Sequence, residues 1–154
     1  MQAEPDTGDL LGTARAIIER GGDLVPVLLY SSETETVAGM LGGDTSLEDM
    51  VGAAASQLRK DLGPPLWLAV VADSYFRAGP PDEAPPTRSL SEEFADGAPN
   101  VAEQIVLLLA RPGQPLSGLR QVYRRSAQDG YEWEEPEPFE DASGLSTIME
   151  LAVI

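Results

Sequence analysis

The stretch GYEWEEPEPFEDASG, residues 130–144, gathers six carboxylates, two prolines, a Tyr, a Trp and a Phe. Acids at that density can cage a cation, imitate a phosphate backbone, or rim a protein interface. A calcium loop needs alternate oxygen ligands around a central glycine, and that spacing is absent. Pro136 and Pro138 also stiffen the chain into an extended form, in which alternate side chains splay instead of converging on one ion. An ordered array of acids, completed by Glu92, Glu93 and Asp96, would imitate nucleic acid. Aromatic anchors inside a polar rim are instead the usual anatomy of a protein interface. On that reading Tyr131, Trp133 and Phe139 are the anchors, and Glu132, Glu134, Glu135 and Glu137 the rim. The plain alternative is a solvated connector, since runs of charge usually face water.

A second candidate is a pair of carboxylates. Asp73 ends the apolar run WLAVVA where it exits into a long loop, a place where sheet proteins display functional residues. If the following strand returns antiparallel, Glu103 lies close by. The two could bind Mg²⁺ or Mn²⁺, or divide acid and base roles. The structural alternative is that Asp73 caps a turn while Glu103 pairs with Arg77 or Arg111.

Other chemistry is excluded by residue type. The chain has no histidine and no cysteine, which removes the Ser-His-Asp triad, the Cys-His dyad and the structural zinc site. GMLGGDTS sets glycines before a helix but lacks the lysine of a phosphate loop, and Asp44, Glu48 and Asp49 would repel phosphate. Asp6-Thr7-Gly8 spells the aspartic-protease triplet, yet follows no apolar strand that could hold it in a rigid turn. No cofactor is expected.

Charge narrows the partners. There are 26 acidic residues against 10 basic ones, a formal net charge of −16, so direct binding to nucleic acid or to an anionic membrane surface is not expected. Lys60 is the single lysine, a skew that a GC-rich genome or a salty cytoplasm would produce without any local function. No apolar run reaches bilayer length, the acidic opening MQAEPDTGDL has no apolar signal core, and the lack of cysteine suits a cytoplasmic protein.

These residues must be held by elements that the hydrophobic periodicity predicts. Leu10, Leu11, Ala14, Ile17 and Ile18 mark a helix over 7–20. DLVPVLLY and TVAGML read as strands joined by the polar loop SSETE, with Pro26 at the strand's beginning or on an edge. SLEDMVGAAASQLRKDLG is a helix capped by Ser46 and stopped by Gly63-Pro64. PLWLAVVADSYF reads as a central strand buried on both faces. Residues 77–100 form a Pro-rich irregular segment, with a hint of one helical turn at Ser89–Glu92. VAEQIVLLLA, LRQVYRRS and YEW are further strands, the last two joined by a turn at AQDG. On LRQVYRRS the period of two sets Arg120 and Arg124 on one face, placed to meet the chain's own carboxylates. The end, LSTIMELAVI, fits a helix through Leu145, Ile148, Met149 and Ala152, although a last strand is also compatible.

The expectation is one α+β domain over 1–154, with a mixed, mostly antiparallel sheet of about five strands packed on two or three helices. The acidic segment covers 132–141. The function expected is that of a non-catalytic, self-associating accessory protein that binds a protein partner. The alternatives are a divalent-metal enzyme using Asp73 and Glu103, and an acidic inhibitor that imitates DNA.

Overall fold

The computed structural model describes residues 7–20, 25–42, 45–77, 101–126, 130–139 and 144–154. Its centre is a hairpin of two long strands, β3 (Trp67–Arg77) and β4 (Val101–Ala110), paired antiparallel from Leu68↔Ala110 to Arg77↔Val101. Leu68, Ala69, Ile105 and Leu108 are at most 1 % exposed, so the run WLAVVA is apolar throughout because both faces of the strand are covered. The flanking strands are β1 (Val27–Ser31), β2 (Thr36–Met40), β5 (Ser117–Ser126), β6 (Gly130–Trp133) and the two-residue β7 (Glu137–Pro138). The order is β2-β1-β3-β4-β5-β6, with β7 also on β5, and every neighbouring pair is antiparallel. The fold is thus α+β. Its sheet has two more strands than expected, because β6 and β7 together continue the same edge of β5.

Strand periodicity divides the core between the two faces. On one, α2 (Leu47–Leu62) and α3 (Gly144–Ala152) bring Val51, Leu145 and Met149 onto Leu28, Tyr30, Leu68, Val70 and Leu108. On the other, α1 (Thr7–Glu19) lays Leu11, Ala14 and Ile18 on Val71, Ile105, Leu107 and Tyr123. Ile17, expected on that stripe, is 37 % exposed. Among the described residues α1 is the only helix on that face, and a helix without a neighbour buries a narrower stripe than one flanked by a second. The terminal segment is helical, and Leu145, Met149 and Val153 bury at intervals of four.

Local chemistry sets the helix ends. Ser46 Oγ accepts the Asp49 N–H at 3.2 Å, and Gly63, at φ +86°, turns its N–H back to the Arg59 carbonyl at 2.9 Å. The Tyr30 hydroxyl donates to the Gly63 carbonyl at 2.6 Å, fastening the end of α2 to the sheet. Arg59 reaches across to donate to the carbonyls of Ala152 and Ile154, where the end of α3 needs a cation. β1 begins directly after Pro26, as expected. Asp6, the turn hinted at Ser89–Glu92, and the added acids Glu92, Glu93 and Asp96 lie outside the described residues.

One glycine permits a close approach. A Cβ at Gly118 would stand 2.2 Å from the Phe139 carbonyl oxygen, beside the bond that the Phe139 N–H makes to Gly118 O at 3.0 Å. Gly118→Ala is expected to push β7 from β5 and cost about 2 kcal/mol. A thermal melt would read that as a fall of about 6 °C.

Candidate functional site

Two strands deliver the carboxylates that the sequence singles out, and a third meets them. Asp73 sits opposite Ile105 on β4, and Glu103 lies two residues along on the same face. Across the next pairing, Glu103 is directly opposite Tyr123. The two acids therefore converge, and what they converge on is a phenol. The Tyr123 hydroxyl lies 2.8 Å from Asp73 Oδ1 and makes a very short hydrogen bond to Glu103 Oε2. Glu103 and Tyr123 are each 1 % exposed.

This environment decides what the tyrosine can do. Burial, then the hydrogen bonds to Glu103 and Asp73, push its ionisation far above the ordinary value near 10. A phenol kept un-ionised between two acids is a hydrogen-bond donor. The carboxylate oxygens that face it accept its proton. Among the described residues no group of three or more carboxylates gathers in one place. Tyr123 is the member that sequence reading missed. Its strand and face were legible, but the cross-strand register that sets it against Glu103 was not.

The aromatic and acidic stretch divides between interior and surface. Trp133 stacks on Tyr123 at a centroid distance of 4.6 Å, and Tyr131 lies 6.3 Å from the same ring. The Trp133 indole donates to Glu19 at 2.7 Å, with the Arg15 guanidinium 6.0 Å from its ring, so β6 and α1 clasp each other. Phe139 packs on the opposite face, against the core under α2 and α3. All three aromatics thus anchor the segment to its own sheet. Glu132, Glu134, Glu135 and Glu137 are exposed along the edge.

Backbone bonds hold that edge in place. The Glu134 N–H donates to Val122 O at 2.9 Å, and the buried Gln121 amide donates to Glu134 O at 2.8 Å. Arg120 meets Glu137 at 2.5 Å, the pairing with the chain's own acids that its strand position implied. Arg124 stands opposite Glu132 in the β5–β6 register. No described helix is long and apolar enough to cross a membrane.

Replacing Tyr123 by Phe leaves two acids facing each other without their shared donor, and is expected to cost about 2 kcal/mol in urea unfolding. Folding raises Tyr123, and by burial Tyr30, above the value of an exposed phenol. The stabilisation this brings is complete below pH 10 and is lost as the pH climbs above it, because the unfolded chain then releases protons that the folded chain keeps. Wild-type stability should therefore fall above pH 10, and Tyr123→Phe should flatten that fall.

No protein-family profile, no curated protein and no solved structure matches this chain.

Proposed function

We propose that this chain is a non-catalytic accessory protein that pairs with a second copy of itself and presents an acidic edge to a protein partner. The observation that carries this reading is the contrast between the two edges of the sheet. At one edge, β6 and β7 are guarded by Pro136, Pro138 and four exposed glutamates, the devices by which sheets avoid pairing. At the other, β2 reads TVAGM, with no charge and no proline, and Met40 is 79 % exposed.

Hydrogen bonding fixes which groups β2 turns outward. Leu41 N–H to Pro26 O and Ser32 N–H to Glu35 O set the alternation of the β1–β2 ladder. Ala38 and Met40 consequently direct their backbone N–H and C=O groups away from β1. Among the described residues no strand pairs with that side. A second copy related by a two-fold axis through Ala38 would add its own β2 antiparallel and continue the sheet. Net charge does not forbid this. The acidic edge lies about 24 Å away across five strand spacings, about three screening lengths at physiological salt.

Sedimentation is expected to show a dimer for the wild type and a monomer for Ala38→Pro. That substitution removes only an outward N–H, so the thermal melt should hold. A wild type that stays monomeric at every concentration overturns the pairing. The acidic edge has its own test, in which Glu132, Glu134, Glu135 and Glu137 are all changed to Gln. A basic partner should be retained by the wild type, released by added salt, and lost by the variant. Equal retention by both makes the segment a connector.

A further inference from the structure

On the face away from the Asp73–Tyr123–Glu103 cluster, where α2 and α3 begin, the described residues leave a pocket of about 170 Å³ that is open on one side. A volume of roughly 150 Å³ is enough to admit benzene. The walls here are mainly apolar: Val70 from β3, Val106 and Leu108 from β4, and the Phe139 ring from beyond β7. Two polar side chains stand on neighbouring strands in the same wall. They are Ser74 on β3 and Gln104 on β4, directly paired in the register.

Of these two, the buried Gln104 amide is incompletely satisfied. The Gln104 amide donates to Ser74 Oγ at 3.3 Å, while its Oε1, in a side chain only 5 % exposed, accepts no hydrogen bond. Ser74 accepts that bond, and among the described residues nothing accepts its own hydroxyl proton. Native cores seldom leave a buried carbonyl oxygen without a donor. Together the pair offers the Gln104 Oε1 acceptor and two donors, the Ser74 hydroxyl and the second Gln104 N–H, beside an apolar wall, a set that can meet a hydroxyl or an amide. The charged residue in the wall is Glu48, and the chain carries −16 overall, so an anion is disfavoured.

We propose that this cavity binds a small uncharged molecule with an apolar, ring-sized body and a single hydroxyl or amide group, held by Ser74 and Gln104. The site is independent of the edge pairing described above. It has the makings of a binding pocket on a small scale: a largely apolar wall with a few polar groups that fix orientation.

The test is a methyl and side-chain amide NMR titration of the full chain with benzyl alcohol and benzamide, using toluene and benzoate as controls. Saturable shifts are expected at Val106, Leu108 and the Gln104 amide. Benzyl alcohol should bind about tenfold more tightly than toluene, the worth of one buried hydrogen bond, and benzoate should not bind. Gln104→Leu should remove the preference for the hydroxyl while keeping toluene binding. If that variant does not fold, Ser74→Ala at a half-buried position makes the same comparison. Absence of saturable shifts, equal affinity for toluene and benzyl alcohol, or a preference that survives both substitutions would each overturn the proposal, leaving water as the only guest.

Discussion

A strand covered on both faces must be apolar at every position, and two such strands side by side can be placed only at the centre of a sheet. β3 and β4 meet that constraint over five paired residues, from Leu68↔Ala110 to Ala72↔Val106, and the rest of the molecule is arranged around them. Because side chains alternate, the pair presents two surfaces that both demand cover. Two helices meet the demand of one surface and α1 that of the other. β1 and β5 then extend the ladder on either side, and the outermost strands carry what the centre cannot tolerate: charge, proline and exposed backbone.

The same constraint explains the position of Asp73 and Glu103. At the far end of the hairpin the strand pair still lies under a helix, yet its sequence turns polar. Glu103 is buried there and Asp73 half-buried, and the Tyr123 hydroxyl on β5 lies within hydrogen-bond reach of both. The phenol in turn receives Trp133, which holds Glu19 of α1. A chain of contacts thus runs from the buried acids through three strands to the lone helix. The carboxylates that the sequence singled out are tied, through Tyr123, to β6 and α1.

Much of this was legible because it is local. The apolar run WLAVVA announced a doubly covered strand, Ser46 and Gly63 announced the ends of α2, and the proximity of Asp73 to Glu103 followed from a single antiparallel return. Periodicity also placed Arg120 where it could meet an acid of the chain, and Glu137 is that acid. What escaped depends on register and depth. Ile17 fits the stripe by spacing, but spacing does not say how many helices share the face. That Tyr131, Trp133 and Phe139 also pack, half-buried, against their own core depends on the pairing of β6 and β7 with β5. Gln104 gives no sign in the sequence that its amide will be half satisfied beside a cavity, since that requires Ser74 to be its cross-strand neighbour.

The central hairpin closes across a wide gap in the chain, from Arg77 to Val101. The entropy of closing such a connection grows only with the logarithm of its length, so that doubling or halving it changes stability by about 0.6 kcal/mol. Ten residue pairs beyond the closure point outweigh a difference of that size. The length of the connection therefore weighs little against the pairing that it closes. The cost falls on the rate of folding, because partners such as Leu68 and Ala110 must find each other across a long stretch of chain before either is buried.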